Sequence, residues 1–127
     1  SLQQEIQFAA TPERIYELYL NADLHGDFTG TKCVLDPSAG GSFSCHDAQI
    51  EGRFVELVAN QRIVQAWRVA IWEPGVFSLV RIDLEASDGG CKLTLNHTGI
   101  PAGMKEHLVE GWPVKYWRPL EAYLKQK

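Results

Sequence analysis

The 127 residues carry a formal net charge of −4, with 45% apolar and 22% charged side chains, the profile of one globular domain with a single core rather than of a disordered chain. Basic residues are scattered and give no phosphate-binding stripe, so nucleic acid is not an expected partner. No apolar run exceeds the four residues Val69 to Trp72 and SLQQEIQ lacks a secretory apolar region, against about 20 apolar residues for a membrane helix, so no span and a cytoplasmic location are expected.

Leu2, Ile6 and Phe8 alternate with Gln3, Glu5 and Gln7, which predicts a first strand. Thr11-Pro12 then opens a helix through Leu20, because threonine caps a free amide and proline at the first position forfeits no internal bond. Ile15, Leu18 and Tyr19 share one face of it. A second short helix is expected from Asn21 to Phe28, closed by Gly30. Six strands follow: Thr31 to Asp36, Ser42 to His46, Gln49 to Val58, Arg62 to Val69, Val76 to Ala86 and Cys91 to Thr98. Turn residues separate them, such as Pro37 to Gly41, Ala59-Asn60-Gln61 and Glu73-Pro74-Gly75. The stretch from Gly103 to Lys125 places Met104, Leu108, Trp112, Tyr116 and Leu120 on one helical row. Pro113 and Pro119 each remove an internal hydrogen bond. A kink or a break near Trp112 is therefore expected, the alternative being a separate helix that starts at Pro113.

The segments ATPERIYELYLNADLHGDFTG, GGSFSCHDAQIEGRFVELVANQRIVQAWR and LTLNHTGIP with HLVEGWPVKYWRPLEAYL, in this order, resemble the START-like (SRPBCC, Bet v 1-like) superfamily. Within it they resemble the domain of the activators of the heat-shock protein 90 ATPase. The resemblance implies an α+β helix-grip fold, β-α-α-β6-α, in which a curved seven-stranded antiparallel sheet grips a long C-terminal helix. It also implies an apolar cavity that in many relatives holds a hydrophobic small molecule, and no universal catalytic residue. Chaperone activators of this kind carry a further N-terminal domain, to which nothing in these 127 residues corresponds.

The candidate cavity lining is Phe28, Phe43, Cys45, Phe54, Gln65, Trp67, Leu95, His97, Met104, Leu108, Trp112 and Tyr116. The first functional expectation is non-catalytic binding of a hydrophobic or amphipathic small molecule, with no cofactor. The alternative is a co-chaperone-like module with a chaperone as partner. A third reading is an enzyme of cyclase or hydratase type using His97, which shares the phase of Cys91, Leu93 and Leu95 and, being buried, needs a partner. Arg81 falls on the opposite phase to Val80 and Ile82 and is expected to be exposed.

Cys33, Cys45 and Cys91 are too few and too dispersed for a disulfide framework and are expected as buried free thiols. No metal site is expected, since His25, Asp27 and Cys45-His46-Asp47 lack a zinc-site spacing and would have to be assembled by the fold. Cys45 and His46, adjacent on a strand, are expected on opposite faces. Trp72 and Phe77 either form a homodimer edge or pack on the sheet.

Overall fold

In the computed structural model, which describes residues 1–126, seven strands form one antiparallel sheet in the order β1-β7-β6-β5-β4-β3-β2. They are β1 (Leu2–Phe8), β2 (Val34–Leu35), β3 (Ser42–Cys45), β4 (Ile50–Val58), β5 (Arg62–Val69), β6 (Ser78–Ser87) and β7 (Gly90–Thr98). The first strand closes against the last, Leu2 facing His97 and Phe8 facing Cys91. That pairing brings the start of the chain beside the end of the meander. A bulge between Phe54 and Glu56 interrupts the β4–β5 register, leaving Val55 exposed and bending the strand.

The expected strand from Thr31 to Asp36 shrinks to two residues. Lys32 donates its amide to Asp47 Oδ1 at 2.8 Å, and its carbonyl accepts from the Asp47 amide at 3.1 Å. Those backbone groups are therefore bonded to a turn rather than to a ladder. In that turn His46, Asp47 and Ala48 all take positive φ, 54°, 57° and 69°. The strand alternation ends there, and His46 is buried alongside Cys45 instead of opposite it. Cys33 and Cys45 are joined as a disulfide, and among the three cysteines only Cys91 is a free, buried thiol. The expectation of three free thiols is corrected accordingly: sequence separation says nothing about pairing when a hairpin sets two cysteines face to face.

Helix α1 (Pro12–Leu20) begins as its sequence requires, Thr11 Oγ1 accepting from the Arg14 amide at 3.1 Å. Asn21 caps α2 (Ala22–Thr29) through the Leu24 amide, and Gly30 ends it with φ 72°. The C-terminal helix has three parts: α3 (Lys105–Trp112), a π-helical turn (Pro113–Trp117) and α4 (Arg118–Gln126). Neither a break nor an independent second helix occurs. Pro113 cannot donate to the carbonyl four residues back, and the ladder absorbs the loss by widening, with Arg118 N–H bonding the Pro113 carbonyl.

The freed Val109 carbonyl accepts from Gln4 Nε2 at 2.9 Å, and the same amide's Oε1 accepts from Trp117 Nε1 at 2.7 Å. Gln4 lies on the Leu2, Ile6, Phe8 face of β1. One side chain thus ties the sheet to both sides of the π turn. The core is the concave face of the sheet, sealed by this helix and by α1 and α2.

Candidate functional site

Between sheet and C-terminal helix the inner surface is mostly aromatic. The rings of Trp67 and Trp112 stack with centroids 5.7 Å apart, Trp112 stacks on Trp117 at 5.4 Å, and Tyr116 lies 5.0 Å from Trp112. Tyr19 stacks on Tyr116 at 5.6 Å and His25 on Phe28 at 5.2 Å. Phe43 and Phe54 form a separate pair at 5.3 Å, with Phe43 covering Gly52. These rings fill much of the volume that a helix-grip cavity would occupy.

One opening that remains is a cleft of about 310 Å³ between α3, the π turn and the β4 and β5 strands. Four of the expected lining residues meet there, Trp67, Leu108, Trp112 and Tyr116. Phe28, Phe43, Cys45, Phe54, Gln65, Leu95 and His97 are buried elsewhere in the core, and Met104 is half-buried where α3 begins. Gln49, Ile50, Val69, His107, Glu110, Gly111, Val114 and Lys115 complete the walls. A Cβ at Gly111 would meet no atom within 4 Å, so that helical glycine faces open space. A glycine inside a helix, costing about 1 kcal/mol against alanine, is the sequence signal for this part of the wall.

His97 is fully enclosed and bonded at both nitrogens. Trp112 Nε1–H donates to its Nδ1 at 3.1 Å, and its Nε2–H donates to Ser78 Oγ at 2.7 Å. The serine hydroxyl donates onward to the Trp67 carbonyl at 3.0 Å. Burial lowers the imidazole pKa to about 4, so the ring is neutral near pH 7. Neither nitrogen faces the cleft with a free lone pair or proton, and the chain of bonds joins β7, β6, β5 and α3. His97 fixes the helix to the sheet.

Gln65 also serves structure, its Oε1 accepting from the Tyr19 hydroxyl at 3.2 Å. Burial raises the pKa of Tyr19 and of Tyr116, which keeps both phenols protonated. By contrast the indole nitrogens of Trp67 and Trp72 are buried and make no hydrogen bond among the described residues. Trp67 is the one of the two that lines the cleft. Trp72 packs on Trp67 at 5.9 Å, whereas Phe77 is exposed beneath the Arg68 guanidinium. Arg68 pairs with Glu51 and donates to the carbonyls of Trp72, Glu73 and Val76. Glu51 is thus half of an ion pair. Arg81 is exposed as expected and bonds Asp83 at 2.8 Å.

A curved antiparallel sheet gripping a C-terminal helix defines the helix-grip class. Within that class the chain belongs to the family described as activator of Hsp90 ATPase homolog 1-like protein, which it matches from residue 9 to residue 125. The human activator of 90 kDa heat shock protein ATPase homolog 1 is 29% identical over 90% of this chain and 34% of its own length. The Dictyostelium discoideum activator is 32% identical over 88% of this chain and 30% of its own. The chain therefore spans about a third of the length of these curated relatives. An HSP90 activator from Plasmodium falciparum superposes with a TM-score of 0.90 and 25% identity over 98% of this chain and 97% of that one. A Mesorhizobium loti protein shares the fold at a TM-score of 0.83 and 19% identity, over 99% and 97%.

Proposed function

We propose that this domain engages an Hsp90-type chaperone and raises its ATPase rate. The observation that carries the reading is family membership across residues 9–125, with relatives described as activators of that ATPase in human, Dictyostelium and Plasmodium. The solved Plasmodium chain described as an HSP90 activator is covered over 97% of its length, which supports this reading for a domain of this size. No catalytic group is required of the activator. It needs only to bind an ATPase-competent chaperone conformation better than the others, and a tenfold preference corresponds to about 1.4 kcal/mol.

The test is a coupled ATPase assay with the chaperone of the same cell, in which a chaperone inhibitor subtracts background. Saturable stimulation by the 127-residue chain is expected. Absence of both stimulation and complex formation by sedimentation refutes the proposal.

A second reading, binding of a hydrophobic or amphipathic small molecule in the cleft, is favoured by one observation. Trp67, whose buried N–H has no protein acceptor among the described residues, lines an apolar cleft of about 310 Å³, the size and chemistry of a small-ligand site. An apolar ligand would stack on the Trp67 and Trp112 rings that wall the cleft. Tryptophan fluorescence during titration with an aromatic and fatty-acid panel tests this reading, with Gly111→Phe as the blocked control. Identical responses from both proteins, or none from either, reject it.

A further inference from the structure

Cys33 and Cys45 stand opposite each other beyond the last paired residues of β2 and β3. Asp36 N–H donates to the Ser42 carbonyl at 2.9 Å, which makes that pair the hydrogen-bonded type. Alternation gives Val34 and Ser44 the same type and leaves Leu35 with Phe43, then Cys33 with Cys45, as close pairs. Cα atoms of such pairs lie about 4.5 Å apart, and those of the two cysteines are 4.1 Å apart. Both side chains are buried.

His25 reaches the same place from α2. A Cβ on the next residue, Gly26, would come within 2.8 Å of the Thr31 carbonyl oxygen, so that glycine lets residues 31–33 lie against the helix. An imidazole nitrogen of His25 and the two sulfurs all fall within 4.8 Å of one another. His25 is neutral, burial lowering its pKa to about 4. Its Nδ1–H donates to the Tyr19 carbonyl at 2.8 Å, which leaves a lone pair on Nε2, where the Tyr116 hydroxyl donates at 3.1 Å. An imidazole held by a carbonyl on one nitrogen is oriented as a metal-bound histidine is. Beside it stands His46, next in the chain to Cys45, its ring centroid 6.5 Å from that of His25. The buried Nε2 of His46 makes no hydrogen bond among the described residues.

We propose that, with the Cys33–Cys45 disulfide reduced, His25, Cys33 and Cys45 form a binding site for a soft divalent cation of the zinc type. The reductant is a dithiol: it supplies two electrons and two protons, leaves as its own disulfide, and releases two thiols. Binding of one Zn²⁺ then expels the two thiol protons and forms two metal–thiolate bonds and one metal–imidazole bond. Two sulfurs on one tetrahedral zinc stand about 3.8 Å apart, which side chains on facing backbones reach by rotation about χ1. Three donors leave one tetrahedral position, and His46 Nε2 is the buried donor available to it. Tyr116, displaced from His25, retains the Tyr19 hydroxyl as its neighbour.

The test uses the full chain reduced with a phosphine and titrated with Co²⁺ under argon. One equivalent should bind, producing a near-ultraviolet thiolate-to-cobalt charge-transfer band and the strong visible absorption of tetrahedral Co²⁺, both abolished by one equivalent of Zn²⁺. Cys33→Ser and His25→Gln should each weaken binding at least as much as the roughly 10–100-fold cost of losing a supporting outer residue, while Cys91→Ser should not. Should a variant fail to fold, alkylation of the wild-type protein followed by peptide mass mapping decides: Zn²⁺ should protect Cys33 and Cys45 and leave the rate at Cys91 unchanged. The proposal is overturned if the reduced wild type gives no charge-transfer band. It is equally overturned if folded Cys33→Ser and His25→Gln bind Co²⁺ like the wild type, or if Zn²⁺ protects neither cysteine. These readouts are independent of chaperone activity.

Discussion

Gln4 offers the sharpest test of how this fold tolerates a proline in the middle of its long helix. Replacing it by methionine keeps the length of the side chain and removes both hydrogen bonds, to the Val109 carbonyl and from the Trp117 indole. The carbonyl lies at the surface and can turn to water, so its loss costs about 0.5–1 kcal/mol; the indole N–H is largely buried and costs about 1–2 kcal/mol. For 127 residues the unfolding entropy is about 0.27 kcal/mol/K, so a sum of about 1.5–3 kcal/mol lowers Tm by about 6–11 °C. Urea denaturation should show the same loss at constant m.

Stability alone would not prove the mechanism, but a double-mutant cycle with Pro113→Ala would. Alanine restores an amide that can bond the Val109 carbonyl, so half of Gln4's role disappears in that background. The cost of Gln4→Met should then fall by about 0.5–1 kcal/mol, a coupling expected only of residues that share a partner. If Gln4→Met costs less than about 0.5 kcal/mol, or the same in both backgrounds, the account of the π turn is wrong.

Gly111→Ala should stabilise the protein by about 0.5–1 kcal/mol, since the new methyl meets open space and the helix loses a glycine; thermal unfolding that shows a loss instead would mean the cleft is closed in solution. Burial lowers His25, His46 and His97 to about 4, below the 6.5 of an unfolded histidine. The unfolded chain thus binds more protons between those values, and stability is full above pH 6.5 and falls as pH drops towards 4. Each histidine contributes at most about 1.4 kcal/mol per pH unit in that window, and His97→Gln should flatten the urea-derived slope by about one third; an unchanged slope would remove His97 from this account. Arg68→Met leaves the half-exposed Glu51 to water but strips three carbonyls of their donor and should cost about 1–3 kcal/mol, with hydrogen exchange accelerating first at Trp72 to Val76. A cost under about 1 kcal/mol would mean that these carbonyls turn to water instead.

Alternation and turn chemistry carry most of the fold in the sequence, because burying one face of a sheet forces a period of two and each turn needs residues suited to it. Leu2, Ile6 and Phe8, or Ile63, Gln65 and Trp67, can be read in no other phase. The errors fall where one residue answers to a distant one. Thr31 to Cys33 have strand composition, yet Lys32 gives its backbone bonds to Asp47. Gln4 is polar on an apolar phase, a visible anomaly, but its partners are a carbonyl orphaned by Pro113 and an indole more than 100 residues away. His97 was legible as buried and partnered; that its partners would be Ser78 and Trp112 was not.

The same logic explains why the site was only partly legible. Aromatic side chains on inner phases mark a core and a ligand wall equally, and here most of the named residues pack on each other. What distinguishes the cleft is a pair of defects that single-residue patterns hide: an indole donor without an acceptor at Trp67 and a missing side chain at Gly111. An open space of about 310 Å³ bounded by a rigid stacked cluster cannot collapse cheaply, since closing it would require Trp67, Trp112 and Tyr116 to abandon contacts made at 5.0–5.7 Å. Filling it from the helix side is therefore the discriminating perturbation. Gly111→Phe should leave the sheet and the His97 bonds intact, abolish any response to small apolar probes, and preserve chaperone stimulation if that activity belongs to the outer surface. Loss of stimulation in a folded Gly111→Phe protein would instead place the cleft, rather than the outer surface, at the contact with the chaperone.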